Sequence, residues 1–370
     1  MPFARALLLI IVVSSLLVMI SSAAARPESV RIAIIKGAEA ITLDGEGLFA
    51  ADEKGEPVRL HTPCSLRRGT ASLLYVDGRP LRRLTVSSPE KIRINGKNYR
   101  GLFDFYPSDK GLLLVNELPL EEYLVGLINC EISSLWPVEA VKAQAVIARS
   151  YAIYQKDARR GAVYHLESSV MDQVYAGVDI EDSRAARAVE ETAGEVLTYS
   201  GAVIQSFYHS NCGGHTEASQ NVWGADLPYL QGVDCRYCLN TPSARWETTL
   251  PLEKIELLLK AAGYKAAGLS SIRTGASNRS GRLLDIIVST SRGDLAIPAV
   301  AFRKTIGYSV IKSTNFTVRA RGDDLLFSGL GNGHGVGLCQ WGSKQRAADG
   351  FNYREILSYY YPGVRIEKLK

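Results

Sequence analysis

"LINCEISSLWPVEAVKAQAVIARSYA", Leu127 to Ala152, holds two helix-like apolar segments that meet around a glutamate. The first begins upstream. Leu120, Leu124, Leu127 and Glu131 fall at i, i+4, i+7 and i+11, one face of a helix. Pro119 is suited to start it, and Ser133-Ser134 interrupt it. A second helix starts at Pro137, with Glu139 in its first turn, where a negative charge meets the helix dipole. Along it Val138, Val141, Ala145, Ala148 and Ala152 form a narrow stripe that lets another element approach closely, which predicts a helix central to the fold.

Glu131 continues the leucine stripe. Desolvation there disfavours the charged form and raises the pKa. A glutamate protonated near neutrality can give a proton to a leaving oxygen, as glycoside cleavage requires. The alternative is a carboxylate turned to solvent, or paired with Arg149 or Lys142.

Working outward, residues 26–91 predict a β-rich N-terminal region. From Val30 to about Leu114, short runs (RIAII, ITL, SLLYV, KIRI, LLLV) alternate with turns such as Asp44-Gly45, Asp77-Gly78 and Asn95-Gly96. Residues 92–370 predict a mixed core. A short helix is expected from the cap Asp182 to Thr192, stopped by Gly194. A hairpin follows, with EVLTY, a Ser200-Gly201 turn, then AVIQSFYH. Leu250 to Ala262 reads as a helix, Leu283 to Ile297 as paired strands, and the chain closes with a glycine-rich loop, Gly329–Gly342, and an amphipathic helix. Helices and strands without regular alternation argue for an α+β fold.

The first 25 residues read as a secretory signal. Arg5 is their only charge, an apolar run spans Ala6 to Ile20, and Ser21-Ser22-Ala23-Ala24-Ala25 offers a cut after Ala25. No later stretch predicts a transmembrane span, so the mature chain is expected in periplasm, envelope or medium. Composition is that of a globular protein, 46% apolar and 22% charged. The net charge of +5 suits an anionic envelope polymer, and no basic run of the kind that tracks nucleic acid occurs.

Six cysteines lie beyond the signal. Cys212-Gly-Gly-His215 followed by Cys235-Arg-Tyr-Cys238 has the ligand count and spacing of a closed tetrahedral zinc site, with His209 able to replace His215. Export leaves a disulfide among Cys212, Cys235 and Cys238 equally open. Cys64, Cys130 and Cys339 have no usable spacing and read as buried small hydrophobes. The loop "GLGNGHGVGLCQWG", Gly329 to Gly342, lacks the P-loop and dinucleotide patterns. It fits a place where His334, Gln340 and Trp341 approach a polymeric ligand. In "SSVMDQVYAG", Ser168 to Gly177, Asp172, Gln173 and Tyr175 could line a sugar subsite.

Several stretches in order resemble the SpoIID/LytB family of bacterial cell-wall proteins, which includes stage II sporulation protein D and an amidase enhancer. They are "LPLEEYLVGLINCEI", "WPVEAVKAQAVIARSYA", "DQVYAG", "SNCGGHTE" with "VWG" and "PYL", and "GHGVGLCQWG" with "ILSYYYPGV". The resemblance runs from about Ile92 to Val364. It implies a peptidoglycan lytic transglycosylase whose acid falls on Glu131, acting on glycan strands, with zinc near the site in those members that bind it. The enhancer members imply instead a wall-binding protein that assists a cell-wall amidase. This chain departs from the family in reading Glu131-Ile132-Ser133 where Glu-Met-Pro is common. It also reads Leu338-Cys339 where Met-Ser is common.

Overall fold

The computed structural model describes residues 28–70 and 72–369; the expected signal segment, 1–25, lies outside them. Eight helices and many short strands among the described residues give an α+β fold with a β-rich N-terminal region. That region carries two six-stranded sheets. One is built on Ser29–Ala38, Gly111–Pro119, Leu102–Ser108, Leu84–Ser87 and Phe49–Asp52, with Leu166–Glu167 from further along the chain as its sixth strand; the other centres on Ala40–Asp44, Cys64–Arg68 and Ile92–Ile94.

The division at residue 91 does not separate two bodies. Ile92–Ile94 pairs with Ala40–Asp44, and Gly111–Pro119 pairs with Ser29–Ala38, so the β region runs from Ser29 to Pro119. Asp77-Gly78 and Asn95-Gly96 make two-residue hairpin turns with positive φ at both residues, the geometry that matches strand twist. Asp44-Gly45 does not turn a hairpin. Leu43 pairs with Ile94, while the next strand, Phe49–Asp52, pairs with Leu84–Ser87 in the other sheet.

The last strand of the region runs into α1 (Leu120–Glu131), with Pro119 at the cap position. Leu120, Tyr123, Leu124, Leu127 and Ile128 are buried in the core shared with the two sheets. Gly126 lets the 168–177 loop close on α1, since a Cβ there would lie 2.6 Å from the Tyr175 ring. Helix α2 (Val138–Ala158) is capped by Pro137 and is buried along most of its length, from Ala140 to Ile153. It is the shared wall of two cores. Val141, Ala145, Ala148 and Ala152 face the sheet side, and Ala143, Val146 and Ile147 face the C-terminal helices. Val138, the first member of the stripe, is exposed.

Helix α3 (Ser183–Glu191) is capped by Asp182, which accepts the Arg184 and Ala185 N–H groups. Helix α4 (Ser219–Trp223) is short. A unit from Arg245 to Leu330 has its own core, including Trp246, Ile286, Phe302, Phe316 and Phe327, beneath two three-stranded sheets, α5 (Leu252–Ala261) and α6 (Ala299–Ile306). The chain then forms α7 (Gln340–Ala348) and α8 (Tyr353–Tyr360), two helices where the sequence suggested one.

The run AVIQSFYH is not a single strand. Ala202–Val203 completes the hairpin with Glu195–Tyr199, and the chain then departs. Tyr208–His209 pairs in parallel with Leu338–Cys339, far along the sequence. Gly337 permits this, because its φ is +73° and a Cβ would fall 1.9 Å from the Phe207 carbonyl oxygen. The pairing joins the segment before the cysteine motif to the end of the glycine-rich loop.

Candidate active site and thiol cluster

Glu131 ends α1 and is partly exposed. Its Oε1 accepts the Val174 N–H at 3.1 Å, and the carboxyl also meets the Tyr208 hydroxyl and the Gln340 carboxamide. Burial is the largest influence and raises its pKa above the ordinary glutamate range, against those three hydrogen bonds, which favour the ionised form. The alternative ion pairs are engaged elsewhere. Arg149 holds Glu121 with two nitrogens, at 2.8 and 2.7 Å, and Lys142 joins Glu139 and Glu191. Glu131 is thus a partly exposed carboxyl group, free of those ion pairs and raised in pKa by burial.

The contacts of Glu131 come from three segments distant in sequence. Tyr208 is oriented by a buried relay: the Tyr123 hydroxyl donates to Gln173 Oε1 at 3.1 Å, and Gln173 Nε2 donates to the Tyr208 oxygen at 3.3 Å and the Ala148 carbonyl at 3.4 Å. Gln340, the first residue of α7, donates to Gln144 Oε1 of α2 at 3.4 Å.

The 168–177 loop serves Glu131 differently from the sugar subsite expected. Gln173 is fully buried. Asp172 is locked by Arg159 at 2.9 Å, the Tyr151 hydroxyl at 2.9 Å and the Glu167 N–H at 2.9 Å. Tyr175 packs between Tyr99 and Tyr123, inside the wall. All three residues hold the loop that presents the Val174 N–H, and their side chains are turned away from solvent.

Aromatic groups adjoin in sequence two of the residues that meet the acid, Trp341 next to Gln340 and Phe207 next to Tyr208. Trp341 lies 5.0 Å from Trp136, with Lys344 above both rings. Trp223 stacks on Phe207 at 4.2 Å, with His334 at 5.0 Å from Trp223. His334 accepts the Val336 N–H at 3.0 Å through Nδ1, and burial first, then the charge of Arg303, lowers its pKa to about 3. It is a neutral ring. Sequence reading missed Tyr208, Gln144, Trp136 and Trp223; the "VWG" piece was the available signal for Trp223. A groove of ≈ 490 Å³ lined by Glu28, Arg31, Lys156, Arg160 and His165 is a separate feature and does not include Glu131.

The sulfur atoms gather in a set that differs from the one expected. Cys212, Cys235, Cys238 and Cys339 are buried, with their sulfurs all within 4.8 Å of one another. His215 is not among them; its Nδ1 meets the Thr216 carbonyl at 2.6 Å, because the Gly213-Gly214 turn carries it past the cluster. His209 is also outside, with Nδ1 against the Val336 carbonyl at 3.1 Å. Cys339 takes the fourth place through the strand pairing of Leu338–Cys339, a long-range contact that local spacing could not reveal.

The family model described as "Stage II sporulation protein", SpoIID, matches residues 108–199, the span of α1, α2 and α3. An uncharacterized protein of Brachyspira hyodysenteriae is 36% identical over 275 residues, 74% of this chain and 73% of its own length. The amidase enhancer of Bacillus subtilis is 32% identical, over 76% of this chain but only 45% of the enhancer. Stage II sporulation protein D of Bacillus subtilis is 25% identical, over 69% of this chain and 76% of its own length. This chain belongs to the SpoIID family. Its role is cell-wall-related, in keeping with the relatives' names. No described helix is long and apolar enough to cross a membrane.

Proposed function

We propose that the chain is an exported peptidoglycan lytic transglycosylase that cleaves the bond between N-acetylmuramic acid and N-acetylglucosamine, with Glu131 as acid and then base. The carrying observation is the Glu131 carboxyl, raised in pKa by burial and met by the Val174 N–H, Tyr208 and Gln340. Protonated Glu131 gives its proton to the glycosidic oxygen as the C1–O bond breaks. The muramoyl 6-hydroxyl attacks C1, the 1,6-anhydro bond forms, and Glu131 recovers a proton from that hydroxyl. The Val174 N–H hydrogen bond, with the Tyr208 hydroxyl and the Gln340 carboxamide close by, favours the carboxylate that exists between these transfers. No water attacks, so no second carboxylate is needed to activate one. The Trp136/Trp341 pair and the Phe207/Trp223 stack, each adjoining in sequence a residue that meets Glu131, offer flat apolar faces suited to sugar rings.

The experiment is product analysis by mass spectrometry after incubation with purified glycan strands. Anhydromuramoyl ends are expected, and reducing ends would mean a hydrolase. The 32% identity to an amidase enhancer supports a second reading, a wall-binding partner of an amidase. Under that reading no glycan product forms, and an added amidase works faster.

A further inference from the structure

We propose that Cys212, Cys235, Cys238 and Cys339 form a closed tetrathiolate site for one structural zinc ion. The mutual limit of 4.8 Å and the 3.3 Å between the Cys212 and Cys238 sulfurs bracket the edge of a thiolate tetrahedron. That edge is about 3.8 Å for metal–sulfur bonds of about 2.3 Å. A disulfide joins two sulfurs, whereas here four converge. They come from three segments: a glycine turn after Cys212, the short 3₁₀ turn holding Cys235 and Cys238, and the residue before α7.

The surroundings are those of sulfur acceptors. Cys339 Sγ faces two backbone donors, the Cys212 N–H at 3.3 Å and the Gly342 N–H at 3.4 Å. Cys235 Sγ lies 3.1 Å from the Tyr360 hydroxyl. Gly342 has no substitute, since a Cβ there would come 2.1 Å from that hydroxyl and 2.7 Å from Cys235 Sγ. The fully buried Arg282 of the 245–330 unit donates to the carbonyls of Cys212 at 2.8 Å and His215 at 2.9 Å, bringing a positive charge near the thiols. Such outer contacts hold metal ligands in place and stabilise thiolate. Binding releases four thiol protons to solvent, and the soft all-sulfur set selects zinc over hard cations. Four protein ligands leave no open position, so the site is structural.

The ion would tie Cys339 to the Cys212 turn. Residues 338–339 pair with 208–209, so the site also fixes Tyr208 and Gln340 where they meet Glu131. This last consequence rests on the proposed catalytic role; the metal site itself does not. The mature full chain should carry about one zinc per molecule by plasma mass spectrometry. Exchange with Co²⁺ should give sulfur-to-cobalt charge transfer and tetrahedral ligand-field bands. Cys339→Ser should lose the metal, while His215→Ala and His209→Ala keep it. If Cys339→Ser does not fold, Cys339→His should retain Co²⁺ with charge transfer reduced by roughly a quarter, as three thiolates replace four. Disulfides in place of metal, iron in place of zinc, or a Cys339 variant with the wild-type cobalt spectrum would overturn the proposal. Metal content needs no glycan, so a zinc protein that cleaves nothing refutes only the transglycosylase reading.

Discussion

The Glu131 site and the 245–330 unit are built in opposite ways. The unit folds on itself: Trp246, Phe302, Phe316 and Phe327 make a core from one continuous stretch. The site collects Glu131, Val174, Tyr208 and Gln340 from segments up to about two hundred residues apart. The unit therefore resembles a self-sufficient addition, and the site depends on long-range closure. Three side chains of the unit reach the segment after Cys212: Arg282 donates to the Cys212 and His215 carbonyls, and Asn278 and Ser280 donate to Glu217. Local sequence is enough to stabilise a body, but not to position an acid.

The largest expected effect tests the site alone. Glu131→Gln keeps size and can still accept the Val174 N–H, yet it cannot deliver a proton. Cleavage should fall by about 10²–10⁴-fold with glycan binding retained, measured by product release and strand pull-down. Wild-type cleavage by this variant would mean a different carboxyl is the acid.

The next prediction tests whether the unit is energetically separate. Phe302→Ala empties part of its core and should cost about 3–5 kcal/mol of that unit's stability. Below its melting temperature, cleavage per folded molecule should stay at the wild-type level. A matched fall in cleavage would show that the contacts of Arg282, Asn278 and Ser280 couple the two regions.

Smaller still is the effect of the relay. Gln173→Leu leaves the Tyr123 and Tyr208 hydroxyls without their buried partner, a cost of about 1–3 kcal/mol. It should lower kcat with KM unchanged, because Gln173 positions Tyr208 and is hidden from solvent. A rise in KM alone would restore the sugar-subsite reading.

The smallest effects concern stability. The folded-state pKa of Glu131 is raised, so its burial penalty is absent below the ordinary value of about 4.3 and complete above the raised one. Glu131→Gln should therefore melt higher than wild type at pH 7, with the difference fading as pH falls below about 4. An equal difference at both pH values would mean that desolvation of the carboxylate is not the cause. Glu139→Gln should change stability by no more than about 1 kcal/mol and leave the rate intact. Its carboxylate caps α8 at the Tyr353 N–H and joins Lys142, away from Glu131.

Helix α1 is legible in sequence because its leucines recur on one face, α2 because its small residues mark a close-packed stripe, and prolines mark both starts. The Asp182 cap and the Asp77-Gly78 turn are legible for the same reason, that local chemistry decides them. Glu131 is legible because it continues an apolar face. Tyr208 and Cys339 are not, since their importance comes from a two-residue strand pairing that no local pattern announces. Asp172, Gln173 and Tyr175 mislead in a different way. Polar and aromatic groups in a loop suggest ligand contact, but here Asp172 and Gln173 bond Arg159, Tyr151, Tyr123 and Tyr208 inside the wall, and Tyr175 packs among aromatic rings.

The Tyr208–Leu338 pairing also sets an order of assembly. Its two halves are 130 residues apart, so its formation closes a long loop and belongs late in folding. Helices α1 and α2 are adjacent in the chain and can form early, with Glu131 still hydrated and ordinary in its acidity. Only when the C-terminal segment docks do Tyr208 and Gln340 enclose the carboxyl. Under the proposed function, a chain not yet fully folded thus carries an acid that is not yet armed, and the last segment to dock is the one that arms it.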